Sequence, residues 1–333
     1  MAEPKPLAIT MGEPAGVGPD IVLQIFARRV ELGTPAFGVY GSLGLMQKRA
    51  ERLGLDLKIK SILAEYVSEA FDETLPVISL EGSVADSPGL PVPESAPLVI
   101  EAIDRAVADV RAGLMRGLVT APIHKSVLYG AGFSHQGHTD YLAELSKADG
   151  KAPHAVMMLA HGDFRVVPTT VHVPLHEVPW RLTTNLIVTT CRTVHAALTG
   201  PFGIRTPRIG MTGLNPHAGE DGTLGDQERT IIAHALKTLA AEGIEVAGPL
   251  PADTAFAPHM RKAFDAIIAM YHDQALIPIK ALAFDEAVNV TLGLPFVRTS
   301  PDHGTALDLA GTGKVSIKSF ANAIRLADDL TRF

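Results

Sequence analysis

The chain has 333 residues, 47% of them hydrophobic and 20% charged, with a formal net charge of −7 at pH 7. That length predicts two domains with ordinary cores, and the composition fits a folded globular enzyme, with no apolar run near the ~18 residues that a membrane span needs. Without a block of Lys or Arg to track a phosphate backbone, nucleic acid is excluded as a partner, while a small anion held by a few local cations is not.

The start, Met1-Ala-Glu3-Pro4-Lys5-Pro6, shows no basic segment followed by an apolar one, so a cytoplasmic location is expected. A lone cysteine, Cys191, removes the intrachain disulfide and the thiolate cluster, leaving nitrogen and oxygen as donors for any metal. Residues 7–10 form an apolar run that breaks into Gly12-Glu13-Pro14-Ala15-Gly16-Val17-Gly18-Pro19-Asp20 and then Ile21-Val-Leu-Gln-Ile-Phe-Ala, which reads as strand, tight loop and helix. Ile21 stands where the third glycine of a dinucleotide fingerprint would fall, and no Gly-Lys-Ser/Thr follows, so neither a Rossmann nor a P-loop motif is indicated. An anion-facing loop and a purely structural turn both fit.

The Pro-rich stretch 87–97 reads as a surface crossing. Ile100, Ile103, Val107, Val110 and Leu114 recur at helical spacing and lead into a strand at 117–120, whose end carries Ala121-Pro122-Ile123-His124-Lys125. Gly137-His138-Thr139-Asp140 opens a helix with Thr139 as its N-cap, a place where orphan N–H groups could meet a phosphate or carboxylate, or where a simple cap could stand. Strands at 165–172, 208–211 and 265–270 alternate with helices near 183–198 and 226–242. Such alternation predicts an α/β architecture with a largely parallel sheet.

Three of the 13 histidines, His172, His217 and His272, each fall where an apolar run stops and a turn begins. Most histidines are surface or satisfied core residues. Open α/β sheets, however, place ligands beyond the carboxyl ends of their strands, and three neutral imidazoles with an open fourth position form a catalytic metal pattern. Downstream of His272 come Asp273, Lys280, Asn289 and Arg298; Lys as a point charge and Arg as a fork suit an anionic ligand, although either could be an ordinary surface cation.

The run Asp302-His303-Gly304-Thr305-Ala306-Leu307-Asp308-Leu309-Ala310-Gly311 resembles the nicotinamide-site segment of the isocitrate and isopropylmalate dehydrogenase fold. Those enzymes bind metal through carboxylates, whereas this chain offers histidines. With Gly12–Pro19, Gly137-His138-Thr139, His172-Val-Pro-Leu, Gly213–Glu220, Pro251–Thr254, Tyr271–Gln274 and Val288–Gly311 in the same order, the chain resembles the 4-hydroxythreonine-4-phosphate dehydrogenase family from about residue 7 to 315. The resemblance implies an isocitrate/isopropylmalate dehydrogenase-like α/β fold of two domains with an active-site cleft between them. The outer domain would comprise 1–130 plus 285–333, including a cofactor segment 302–314; the inner domain, 131–284, would carry the metal ligands and a homodimer interface.

It further implies His172, His217 and His272 as ligands of one divalent metal (zinc, cobalt or magnesium), and His138, Thr139, Lys280, Asn289 and Arg298 on the substrate. His303, Gly304, Thr305, Ala306 and Asp308 would contact NAD or NADP. Asp253 and Asp273 are candidates for general base or for outer partner of the ligating imidazoles. One departure is His124, where family members carry Asn or Ala, which bears on substrate detail. The implied reaction is NAD-dependent, metal-assisted oxidation of 4-phosphohydroxy-L-threonine to 2-amino-3-oxo-4-phosphonooxybutanoate, which decarboxylates to 3-amino-2-oxopropyl phosphate in pyridoxal phosphate biosynthesis. The same chemistry on a 4-phosphorylated threonate or erythronate, or a three-histidine zinc hydrolase, are the alternatives. The active site would be shared by both subunits of a homodimer.

Overall fold

The structure is a computed structural model describing residues 4–332; residues 1–3, part of the segment read as free of an export signal, lie outside the described residues. In chain order the strands are β1 (Leu7–Thr10), β2 (Phe37–Gly41), β3 (Ile59–Ser61), β4 (Leu75–Ser79), β5 (Leu118–Thr120), β6 (Val156–His161), β7 (Phe164–Thr170), β8 (Ile209–Thr212), β9 (Val246–Leu250), β10 (Ala266–Tyr271), β11 (Val288–Leu292) and β12 (Arg298–Pro301). The chain divides into two compact units, Met1–Ala152 with Pro295–Phe333, and Pro153–Leu294.

In the first unit the strand order is β3-β4-β2-β1-β5-β12, and every pairing is parallel. Parallel strands covered on both faces must be apolar throughout, and Leu7, Ala8 and Ile9 of β1 have no exposure. The helix Ala96–Arg111 turns Leu98, Val99, Ala102, Ile103, Ala106, Val107 and Val110 inward; of the expected stripe Ile103, Val107 and Val110 are buried, Ile100 is half-buried, and Leu114 falls past the helix end. The structural boundaries fall later than 130/131 and 284/285 for local reasons. Phe133, His135 and Tyr141 form one ring cluster, and the Tyr141 hydroxyl donates to Asp104 Oδ1 at 2.5 Å, fastening residues 131–152 onto the helix Ala96–Arg111. At the other boundary β11 pairs with β6 over five positions, holding 288–292 in the second unit.

The second unit has the order β11-β6-β7-β10-β8-β9. Here β7, β10, β8 and β9 run parallel, while β6 is antiparallel to both neighbours. Its core includes Leu159, Val166, Ala269, Ala275, Leu276 and Ile279. The expected strands and helices are all present within a few residues, and the fold is α/β and mostly parallel. Among the described residues no helix is long and apolar enough to cross a membrane.

Candidate active site

In the first unit the glycine-rich loop after β1 is built as a structural turn. The N–H of Ala15 goes to Glu13 Oε1 at 3.1 Å, that of Gly16 to the Glu13 carbonyl at 3.0 Å, and that of Val17 to the Thr305 carbonyl at 3.0 Å. Those donors are therefore taken by the protein itself rather than by an anion. A Cβ on Gly18 would lie 2.2 Å from the Met11 carbonyl, so the turn closes only around glycine. The Val17 contact joins this loop to the predicted cofactor segment 302–314, and Arg49 fastens the same junction. Arg49, on the helix Leu43–Arg52 and fully buried, donates to the Pro14 and Gly16 carbonyls at 2.8 and 3.1 Å, to Asp86 Oδ1 at 2.6 Å, and to Asp20. Asp20 Oδ1 in turn accepts from the Gly311 N–H at 2.6 Å.

Among the described residues, Glu13 Oε2 and His303 Nε2 are buried at this end without a hydrogen-bond partner. The His303 Nδ1 lies 3.0 Å from the Gly304 carbonyl, which assigns the proton to Nδ1 and leaves Nε2 as an acceptor. Burial pushes the Glu13 carboxyl up, against the Ala15 N–H, His124 and the Ser95 hydroxyl. Ala306 takes a left-handed φ of 40° in this segment, and Asp308 is exposed. Orphaned buried acceptors beside a glycine-bearing loop fit a ligand with amide and hydroxyl groups, as a nicotinamide dinucleotide has.

The same unit holds a basic cluster. Arg298 on β12 is 3% exposed. Its Nε and Nη2 donate to Thr120 Oγ1 on the paired strand β5 at 3.2 and 2.6 Å. Burial pushes the Arg298 guanidinium down to about 9. Burial first, and then the charges of Arg298 and Lys125, hold the His138 imidazole well below the usual histidine range, so it is neutral at pH 7, and its buried Nε2 has no protein partner. Thr139 is not the N-cap that the spacing predicts. The helix runs His138–Leu145 with Gly137, which has no side chain to cap with, at its N-cap, and its first turn is closed by the Tyr141 N–H on the Gly137 carbonyl at 3.2 Å. Thr139 thus lies in the first turn, where N–H groups lack intrahelical acceptors.

In the second unit β7 and β10 end level, with Thr170 opposite Tyr271. His172 lies two residues past the first end and His272 one past the second. This brings the His172 and His272 ring centroids to 5.7 Å. His272 Nδ1 lies 2.7 Å from Asp273 Oδ1, which fixes the proton on Nδ1 and presents Nε2 as a donor to a cation. Gln274, 8% exposed, ties the strand ends together: its Oε1 accepts from Met270 N and Thr212 Oγ1 at 2.7 and 2.9 Å, and its Nε2 donates to the Gly213 carbonyl at 2.8 Å.

His217 lies in the segment Pro216–Gly222 after β8. Among the described residues no group of three His, Cys, Asp or Glu is disposed to hold a metal ion; of the three histidines, His172 and His272 stand as a pair. Lys280 sits in the last turn of the helix His272–Ala283. Asn289 on β11 has a buried Oδ1 without a hydrogen-bond partner, and Asp253 is exposed in the first turn of Ala252–Ala255. The anticipated substrate set thus divides, with His138, Thr139 and Arg298 in one unit and Lys280 and Asn289 in the other. Sequence reasoning did not single out Glu13, Thr120, Lys125 or Arg49 as site residues. Glu13 carried a signal, an acid between Gly and Pro in an apolar stretch, whereas Arg49 in an amphipathic helix looked like a surface cation.

The chain is similar to known proteins along nearly its whole length. The family model described as "Pyridoxal phosphate biosynthetic protein PdxA" matches residues 34–327. A 4-hydroxythreonine-4-phosphate dehydrogenase of Bradyrhizobium diazoefficiens is 54% identical over 331 residues, covering 97% of this chain and 96% of the relative. A crystal structure of a 4-hydroxythreonine-4-phosphate dehydrogenase from Klebsiella pneumoniae superposes with a TM-score of 0.85 at 34% identity, covering 98% of this chain and 100% of that one. A terephthalate 1,2-cis-dihydrodiol dehydrogenase from Burkholderia xenovorans, at 24% identity and a TM-score of 0.67 over 98% of each chain, shares the fold alone.

Proposed function

This chain belongs to the PdxA family of pyridoxal phosphate biosynthetic proteins, and from that premise we propose that it oxidises 4-phosphohydroxy-L-threonine at its secondary alcohol and releases carbon dioxide from the β-keto acid so formed. It is a dehydrogenase, as its relatives are, which sets the zinc-hydrolase alternative aside. The observation that carries the substrate assignment is the buried Arg298 beside the neutral His138, whose Nε2 has no protein partner. A cation held in a desolvated position is costly, and an incoming phosphate or carboxylate offsets that cost.

His172 and His272 fit a divalent cation, since both are nitrogen donors and Asp273 orients one of them. The segment 302–314 with Glu13 and His303 fits the dinucleotide. When bound, the cation supplies Lewis acidity at the substrate oxygens and the dinucleotide, NAD or NADP, supplies the hydride acceptor. The chain's own residues do the rest. Arg298 and Lys125 neutralise the phosphate, and the neutral His138 and the first-turn N–H groups around Thr139 add hydrogen-bond donors to it. Asp273 keeps the His272 tautomer fixed, and the exposed Asp253 is free to accept the alcohol proton as general base. Lys280 and Asn289, with its buried Oδ1, orient the amino-acid end.

The assembly is a cytoplasmic homodimer in which His217 joins the imidazole pair across the subunit boundary. Support comes from the large apolar side chains that the second unit leaves at its surface: Leu175, Trp180, Ile277 and Phe284 are 68, 84, 64 and 72% exposed. The test is reduction of NAD or NADP by purified protein with 4-phosphohydroxy-threonine, beside phosphorylated threonate at matched concentration. Turnover should require the amino acid and disappear with chelator. Equal turnover of the threonate would change the substrate, and turnover surviving thorough metal removal would sink the role given to the histidines.

A further inference from the structure

Five successive residues, His217 to Asp221, lie in the left-handed region with φ between 44° and 81°, and four of them are not glycine. A run of L residues does not hold this conformation by itself. Glu228 fastens the residues just before this run and stands against Gly219 within it. Its carboxylate is 6% exposed; Oε1 accepts from the N–H groups of Leu214 and Asn215 at 2.7 Å each, and Oε2 accepts from Asn215 Nδ2 at 3.0 Å. Asn215 Nδ2 also donates to Gln227 Oε1 at 2.7 Å.

Glycines give the clamp its room. A Cβ on Gly213 would stand 3.0 Å from Glu228 Oε1, one on Gly219 2.6 Å from Oε2, and one on Gly225 2.3 Å from Asn215 Nδ2. Glu228 also opens the single π-helical turn Glu228–Ile232, an irregularity that is frequent at functional sites. A buried carboxylate that receives only N–H donors is an expensive way to fill space. What it provides here is a fixed course for the backbone that carries His217.

We propose that Glu228 is a positioning residue of the metal site: it clamps the loop 213–219 so that the His217 imidazole is delivered in one orientation. The inference rests on the reading of His217 as a metal ligand. The test titrates metal-free, full-length protein with Co²⁺ and reads both the dissociation constant and the visible absorption of the bound ion. Wild type is compared with Glu228→Gln, His217→Ala and the double variant. Glu228→Gln should keep the wild-type far-ultraviolet circular dichroism, bind Co²⁺ at least about tenfold more weakly with an altered visible band, and add nothing to His217→Ala in the double variant.

If Glu228→Gln binds Co²⁺ as wild type does while His217→Ala is weakened, the inference is overturned and the metal reading stands. If His217→Ala itself binds as wild type does, the metal reading falls. Should Glu228→Gln not fold, Asn215→Ala carries the same test, since it removes the side-chain arm and leaves the carboxylate in place. Weakened binding with an altered band supports the clamp, and unchanged binding overturns it.

Discussion

Replacing Arg298 by Met should make the empty protein more stable and blind to phosphate. Holding a guanidinium at a pKa of about 9 rather than the ordinary ~12.5 costs its charged form about 5 kcal/mol at neutral pH, at ~1.4 kcal/mol per tenfold change in proton affinity. Met fills much of the aliphatic stem without a charge. Against this gain, the donations to Thr120 Oγ1 are lost, and a buried hydroxyl left short of its partner costs about 1–3 kcal/mol. The difference, about 2–4 kcal/mol in favour of the variant, corresponds to a rise of roughly 5–10 °C in the unfolding midpoint. The sign with pH follows from the depressed pKa: the cost is fully present at neutral pH and is relieved as pH rises through about 9. The gap between variant and wild type should therefore narrow in alkali. Calorimetric melts in phosphate-free buffer and with millimolar inorganic phosphate measure both effects. Wild type should gain stability from phosphate, by ~2.7 kcal/mol at a hundred times the dissociation constant, and the variant should not. A variant that melts at or below wild type without phosphate, or that gains as much from it, would refute the reasoning that a costly buried cation is kept for an anion.

His138 also has a depressed pKa, so its contribution to stability is present above about 6.5 and lost as pH falls; urea midpoints across pH 5–8 should show an acid limb that is shallower in His138→Gln. Asp273→Asn should weaken binding of a divalent cation about 10- to 100-fold, read by calorimetric titration, because His272 loses the partner that sets its tautomer; unchanged affinity would remove Asp273 from that role. Arg49→Ala should cost about 3–5 kcal/mol in urea unfolding by stranding Asp20 and Asp86, whose side chains are 0 and 4% exposed, and a loss below ~1 kcal/mol would mean that water readily reaches those carboxylates.

The elements were legible because their periods are. β1 (Leu-Ala-Ile-Thr) and β10 (Ala-Ile-Ile-Ala-Met-Tyr) are near-continuous apolar runs with no polar alternation, as a sheet covered on both faces requires, and the helix Ala96–Arg111 shows its apolar stripe at three- and four-residue spacing. Start positions were less so. The helix at His138 begins one residue before the Thr139 cap signal, because a glycine can close a first turn with its carbonyl alone. The strand β6 went unread: reversing direction between two neighbours is a property of pairing, and Val156–His161 carries no sign of which partners it meets.

The candidate site divides along the same physical line. Strand-end histidines can be found because a parallel sheet converts the end of an apolar run into a position in space, and adjacent strands that stop level bring His172 and His272 together from residues a hundred apart. The groups that hold such a site in place have no comparable signature. Arg49 in Lys48-Arg49-Ala50-Glu51-Arg52 is indistinguishable in sequence from its charged neighbours, yet of these charged residues it alone is buried, because the carbonyls of Pro14 and Gly16 and the carboxylates of Asp20 and Asp86 converge on it from three other segments. Glu228 likewise opens Glu228-Arg229, a pair that reads as a solvated helix face, and only the N–H groups of Leu214 and Asn215, brought to it from the loop after β8, give a buried carboxylate its partners there. A buried polar side chain is specified by the backbone groups that need it, and those belong to other parts of the chain. What the sequence displays locally is therefore the candidates for meeting a ligand; the residues that hold those candidates in place become visible only when the backbone has a course.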